Sequence, residues 1–330
     1  MQYTRIARLI VSRAYDLTGK SALTVSQLLS ATGDEAAMEQ VLVDDDTRRL
    51  RRLDQLTQAL RTELAYYEVR RMRPPLAESI IAPGSFMYSF ADDLQQKEEV
   101  RDLNGRLRML PQLLSCMHEL SPTQFEQLCA LVMVAVGARH VTVTKSQKDD
   151  GVDVIAQLPV DAGLNIRPTQ TLSPFYRILG SLSFLIYCQA KQYAEDNPVG
   201  AEEVQRLEGS WQSVRNAYFE GTLSPDRAKA FVAADYRLAD PVLLIMMTTS
   251  SYTRGAFEKG KLLGMVLLDG EQLAQLLLEH GFGIVRVQVA KYETSLDILV
   301  SHLVANLVHP ALSPRPSRRL ACRDRRSRLS

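Results

Sequence analysis

Residues 184–191 read FLIYCQAK: five apolar residues in a row, then Gln189, Ala190 and Lys191. An apolar run of this length suits a strand covered on both faces. Gln189 and Lys191, two apart at its end, share one face of that strand. A lysine there is costly to bury unless it meets a carboxylate or an anionic ligand. Upstream, residues 152–156 (VDVIA) read as a strand after the Gly151 turn, and alternation turns the Asp153 carboxylate away from Val152 and Val154. Residues 140–145 (HVTVTK) alternate as an earlier strand, with residues 147–151 as the turn. Ser121-Pro122-Thr123-Gln124 is a helix start with the residues of a capping box, predicting a helix over 125–136 that Gly137 closes. Downstream, the pattern predicts a helix over 201–218, an apolar strand at 242–247, a helix at 254–261, a strand at 265–268, a helix at 271–280 and a strand at 284–289. Strands alternating with helices imply an α/β layer with a mixed central sheet flanked by helices. Residues 158–183, punctuated by Pro159, Gly163, Pro168, Pro174 and Gly180, read as a long excursion, and residues 224–237 as a shorter one.

At 330 residues the chain accommodates two modest domains, and 46% hydrophobic with 23% charged residues is an ordinary mixture for folded cores. No stretch reaches the roughly 18 uninterrupted apolar residues of a membrane span. The first sixteen residues carry charges throughout, unlike a signal peptide. Cys116, Cys129, Cys188 and Cys322 are scattered without a CxxC pair, which suits small buried thiols in a reducing cytoplasm. The five histidines have no mutual zinc spacing, and the absence of GxSxG, P-loop and GxGxxG patterns leaves acyl hydrolysis and nucleotide binding unsupported. Residues 315–330 hold seven arginines and one aspartate; taking that +6 from the net +1 leaves −5 for the remainder, so global charge does not argue for a nucleic-acid partner.

Residues 1–115 read as a mainly helical N-terminal domain. Its clearest helix follows Asp44-Asp45-Asp46, with Leu50, Leu53, Thr57, Leu60, Leu64 and Tyr67 as an apolar stripe stopped by Pro74-Pro75. Arg48, Arg49, Arg51, Arg52 and Arg61 decorate its other faces. The stripe suits packing in a local bundle, a dimerising seam, or support for an arginine surface. Residues 23–29 and the helical stretch after them hint at a helix-turn-helix without a clear second helix or wing.

The polar groups at the two strand ends suit phosphodiester hydrolysis. A carboxylate (Asp153) and an amide oxygen (Gln189) can hold Mg²⁺, a hard ion that takes oxygen ligands. The Lys191 ammonium can orient water or stabilise developing negative charge. Wider context sharpens this reading. FEQL (125–128), KDDGVDVIAQ (148–157), YCQAKQY (187–193), VG-x-EEVQRLEG (199–209), MMTTSSYTRGAF (246–257) and LLDGEQLAQLLLEHGFGI (267–284), in that order, resemble the Mrr-type restriction endonuclease family of the PD-(D/E)xK nuclease superfamily over residues 121–289.

The resemblance implies a PD-(D/E)xK restriction-endonuclease-like core and Mg²⁺-dependent cleavage of DNA, with Mn²⁺ as a substitute and modified DNA among the targets. Asp153 matches the metal-binding aspartate, Gln189 the second motif position, Lys191 the catalytic lysine, and Glu126 an acidic residue that adds to the metal site. Asp150 ranks as a neighbour of the site and Asp149 as surface. Gln157 and Gln192 read as structural or solvent-exposed, and Trp211 and Tyr218 as core. Thr248 to Ser251 either meet a DNA phosphate or cap the helix at Tyr252. The division that follows is 1–115, for DNA recognition or dimerisation; 116–310, an Mrr-like catalytic domain; and 311–330, a disordered arginine-rich tail.

The expected setting is prokaryotic restriction and anti-phage defence of the type IV kind, with DNA, defence-system proteins and a second copy of the chain as partners. Two other readings stay open: a catalytically silent DNA- or partner-binding module, and a junction or repair nuclease on the same core. The separation of Asp153 from Gln189 exceeds the family's, and the N-terminal segment lacks a match to the family's winged-helix reader.

Overall fold

The central sheet is built where the sequence runs apolar. In the computed structural model, which describes residues 2–16, 21–42, 45–91, 93–144, 151–160, 182–194, 196–237 and 240–307, β4 (Arg139–Val143), β5 (Val154–Pro159), β6 (Ser183–Lys191), β7 (Val242–Thr248) and β8 (Val266–Leu268) lie side by side in that order. β4, β5 and β6 are antiparallel neighbours, while β6–β7 and β7–β8 are parallel, giving the expected mixed sheet. β5 and β6 pair from Val154↔Cys188 to Pro159↔Ser183, and Val160 N–H continues the pairing to Leu182 O at 3.0 Å. Strand pairing therefore extends past residue 158, where the sequence suggested an excursion. Residues 161–181, Asp149, Asp150 and the arginine-rich tail lie outside the described residues.

Each face of the sheet carries its own apolar layer. On one face, Val154, Ala156, Ile186, Cys188 and Met247 pack beneath α7 (Pro122–Ala135) and α11 (Gly270–Glu279). Ser121 caps α7 as the sequence predicts, its Oγ accepting Gln124 N–H while Gln124 Oε1 accepts Ser121 N–H. On the other face, Ile155, Leu185, Tyr187 and Met246 meet α8 (Ala201–Glu220), α9 (Pro225–Ala233) and α10 (Arg254–Leu263). Trp211 and Tyr218 of α8 pack into this layer, as expected, clustered with Phe231 and Tyr236 at centroid distances of 5.3–6.4 Å, Trp211 stacked on Phe231 and Tyr236 edge-on to the other rings.

Two elements depart from the sequence reading. Residues 224–237 are no excursion: Pro225 opens α9, and fully buried Phe231 closes the aromatic cluster, a burial worth about 1.5–3 kcal/mol. Residues 284–289 do not join the central sheet. Among the described residues β9 (Val285–Gln288) pairs only with β10 (Lys291–Glu293), as a hairpin, and all four of its residues are exposed, so neither face is covered. α12 (Leu296–Leu307) follows and packs against α7.

The N-terminal part supplies what its sequence did not show. α1 (Gln2–Arg13), β1 (Leu23–Thr24), α2 (Val25–Ala31), α3 (Glu35–Val41) and α4 (Asp46–Val69) lead to a hairpin of β2 (Leu76–Glu78) and β3 (Ser85–Tyr88), with β1 joining in the order β1–β3–β2. α2 and α3 flank the turn Thr32-Gly33-Asp34, where Gly33 takes φ +67° and Asp34 caps α3. Two short helices about a glycine turn, and a hairpin that β1 joins, are thus present where the sequence showed neither a second helix nor a wing. The short α3 escaped the sequence reading because seven residues give little periodicity.

α4 buries Leu56, Leu60, Leu64 and Tyr67, whereas Leu50, placed on the sequence stripe, is 66% exposed. The buried stripe faces inward and packs on α1, which favours the local-bundle reading. One continuous apolar core runs from Ile6 through α5 (Glu98–Leu107) and α6 (Leu110–His118) to Leu303, and the division drawn at 115/116 falls inside α6. Arg70, the C-cap of α4, is buried between Asp269 and Glu271 of the distant α11 start and lies over the rings of Tyr66 and Tyr67. Among the described residues no helix is long and apolar enough to cross a membrane.

Candidate active site

The site lies where the β5–β6 ladder ends. Gly151 adopts φ +60°, and a Cβ built there would stand 2.5 Å from Gln189 Nε2, so glycine is needed both for the backbone and for the amide beside it. Two residues on, Asp153 N–H donates to Cys188 O at 2.9 Å and its Oδ2 accepts Ala190 N–H at 2.7 Å. The carboxylate thus takes the place of the next backbone acceptor in the ladder. Val152 packs in the α8-side core and Val154 in the α7-side core. The chain does not alternate simply through Asp153, contrary to the sequence reading; the turn at Gly151 ends the pleat, and a backbone amide fixes the side chain.

Leu185 and Tyr187 face α8, so strand alternation sends Gln189 and Lys191 to that side too. Gln189 is 5% exposed, and its Oε1 is buried without a hydrogen-bond partner. Such an orphaned acceptor costs about 1–3 kcal/mol unless something occupies it. Glu126 reaches the site from the second turn of α7. Burial, and secondarily the charge of Asp153, push its carboxyl above the ordinary range. Burial likewise raises Asp153, against the opposing pull of Ala190 N–H and the Lys191 ammonium. Lys191 Nζ sits 3.1 Å from Glu203 Oε2, and Glu203 Oε1 accepts a 2.8 Å hydrogen bond from Arg206.

Asp153 lies within electrostatic reach of both Glu126 and Lys191, and the Gln189 amide stands beside Gly151, two residues before Asp153. Glu203 was missed as a partner, although it stands in the EEVQRLEG block and its type suits a helix's first turn.

The other singled-out polar residues serve the scaffold. Gln157 Nε2 donates to Ser183 Oγ at 3.0 Å, and Gln192 Nε2 to Leu120 O. Thr248, Thr249 and Ser250 are buried, and the N-cap of α10 is Thr253, so neither role weighed for the stretch 248–251 is what these three do. Thr249 Oγ1 instead accepts Tyr193 N–H at 3.0 Å and donates to Tyr193 O at 2.7 Å, tying the segment after β6 to the end of β7.

Among the described residues no three His, Cys, Asp or Glu side chains form a metal-binding group. The oxygen set nevertheless fits a hard divalent cation once the amide is counted. Its donors would be the Asp153 and Glu126 carboxylates, each held above its ordinary range by burial, and the unpartnered, buried Gln189 Oε1.

Residues 117–221 match the family model Mrr_cat, described as a restriction endonuclease, and carry a domain of that family. The matched span begins near the end of α6 and closes after α8, so it includes Glu126, Asp153, Gln189, Lys191 and Glu203. The blocks after residue 221 lie beyond it.

Three solved structures are similar to the chain. The DNA modification-dependent restriction endonuclease AspBHI shows 17% identity and a TM-score of 0.37, over 69% of this chain and 47% of that one. MspJI restriction endonuclease in complex with a 27-mer oligonucleotide shows 19% identity and a TM-score of 0.35, over 64% and 39%. Restriction endonuclease FokI bound to DNA shows 8% identity and a TM-score of 0.31, over 84% and 45%. The chain thus covers less than half the length of each. No curated protein matches it.

Proposed function

We propose that the protein is a divalent-metal-dependent endonuclease that hydrolyses DNA phosphodiester bonds in prokaryotic restriction and anti-phage defence. What supports this reading is the Asp153 carboxylate, within electrostatic reach of both Glu126 and the Lys191 ammonium, together with the unpartnered Gln189 Oε1 near the end of the same strand, all inside the matched residues. Mg²⁺, or Mn²⁺ in its place, would be held by Asp153, Glu126 and Gln189 and would supply Lewis-acid stabilisation of the phosphate's charge. Asp153 is held in place by the Ala190 amide and keeps its second oxygen free of that bond. Lys191 offers the ammonium that draws in a phosphate oxygen and stabilises charge as water adds to phosphorus and the P–O bond breaks. Buried Gln189 and the strand end keep bulk water from surrounding these groups.

Modification-dependent cutting of the type IV kind is the substrate class we favour, because modified DNA is among the targets that the Mrr resemblance implies. The N-terminal part of residues 2–91, with Arg48, Arg49 and Arg51 at the surface of α4, is proposed to contact DNA. A second copy of the chain would supply the cut on the opposite strand, and a reducing cytoplasm is the proposed compartment. The test is cleavage of methylated and unmodified plasmid by the full chain with Mg²⁺ or Mn²⁺. Asp153→Asn and Lys191→Ala should each abolish cutting with the fold intact. Absence of cutting on duplex, single-stranded and branched DNA alike would refute the nuclease reading and leave a binding module.

A further inference from the structure

Lys191 has a long flexible side chain, and about 2 kcal/mol of rotamer entropy opposes holding its ammonium in one place. Two sets of acidic groups compete for it. Asp153 is within electrostatic reach on one side, with Glu126 beyond it, while Glu203 makes the direct contact at 3.1 Å on the other. Glu203 is itself firmly held. Val199 N–H donates to Ser251 O at 2.8 Å and Thr253 N–H to Val199 O at 3.0 Å, pinning the segment before α8 to the end of β7. Val204, Leu207 and Trp211 then seat α8 on β6, and Arg206 holds the second Glu203 oxygen. The side chains of Lys191 and Glu203 are only 22% and 18% exposed, unlike the solvated Arg254–Glu258 pair.

Resting on the nuclease reading above, we propose that Glu203 is the positioning residue of the site: it anchors the Lys191 ammonium on the α8 side and so keeps it off the Asp153–Glu126 carboxylates. Without that anchor the ammonium falls back onto the carboxylate pair, where it occupies the place of a divalent cation and no longer meets the phosphate. Glu203 touches no reacting atom in this scheme; it acts through Lys191.

The experiment measures single-turnover cleavage at saturating DNA, DNA affinity in Ca²⁺, and Mn²⁺ affinity without DNA, for the full chain and for E203Q, E203D, K191A and E203Q/K191A. Glu203→Gln should slow cleavage by on the order of 10- to 100-fold while DNA affinity stays within about twofold. Glu203→Asp, which keeps the charge one methylene shorter, should cut faster than E203Q. Mn²⁺ affinity should fall in E203Q but should not fall further when Lys191 is already alanine, because the effect runs through the ammonium. Cleavage by E203Q at the wild-type rate, equal rates for E203Q and E203D, or an equal loss of Mn²⁺ affinity in both backgrounds would each overturn the assignment. A wild-type chain that never cuts overturns the nuclease reading instead, and the Mn²⁺ cycle still decides the place of Glu203; a Lys191→Ala variant that cuts at the wild-type rate overturns the assignment of Glu203, which acts through that ammonium.

Discussion

Replacing Gly151 by alanine tests the site through a residue with no chemistry of its own. Two separate costs follow from the structure. At φ +60° an L-residue gives up about 1–2 kcal/mol relative to glycine. The added Cβ would also stand 2.5 Å from Gln189 Nε2, against about 3.4 Å for ordinary contact, so the amide must retreat by roughly 0.9 Å. That retreat is energetically cheap, since the end of a side chain moves, but it displaces the one buried acceptor proposed to face the cation. Misplacement by about 1 Å can cost on the order of 100-fold in rate. G151A should therefore fold, lose about 2–4 °C in Tm per kcal/mol, and cut DNA roughly 100-fold more slowly. Gly33→Ala is the control: it carries φ +67° with nothing within 4 Å of the new methyl, so it should lose the same stability and keep its cutting rate. Differential scanning fluorimetry and a single-turnover assay read both. Full activity in G151A, or equal loss in the two variants, would refute the reasoning.

Other outcomes follow from the same geometry. Mn²⁺ at about 100 times its Kd should stabilise the protein by about 2.7 kcal/mol, a Tm rise that Asp153→Asn should erase; a rise of the same size in that variant counts against the proposed ligand. The raised folded pKa values of Asp153 and Glu126 mean that the metal-free native state holds protons more tightly than the unfolded chain, so their contribution is favourable at low pH and is lost as pH rises through the raised values. Metal-free D153N should accordingly gain on wild type as pH rises above about 4, the ordinary aspartate value, in thermal melts, whereas a constant difference would contradict the shift. Arg70→Ala leaves Asp269 buried without its cation and should cost about 3–5 kcal/mol in urea unfolding; a loss below 1 kcal/mol would show that the pair is solvated.

The sequence made the catalytic half legible because its signals were local and redundant. FLIYCQAK declared both a covered strand and a polar tip, and the Ser121 capping box placed α7 within a residue or so. Where a single signal had to carry an element, the reading faltered. Residues 284–289 have strand composition, but composition does not say which sheet accepts them, and here a two-stranded hairpin does. The short α3 has too few turns for periodicity, and α9 was obscured by Pro225, although Ser224-Pro225 repeats the helix start seen at Ser121-Pro122. At the site, alternation failed to orient Asp153 because the glycine turn breaks the pleat one residue earlier. Glu203 was invisible as a partner because the pairing joins a strand tip to a helix in the following unit, a relation that spacing alone does not encode.

The unbroken packing from Ile6 to Leu303, crossed by the Arg70 link to α11, has a practical consequence for engineering. The N-terminal part cannot be exchanged by simple cut-and-join at a hinge, because a graft ending before α6 would bring a foreign partner to Asp269 and Glu271 and bare the shared layer beneath α11. A folded chimera has to carry α6 and the first turn of α11 along with whatever N-terminal part it borrows.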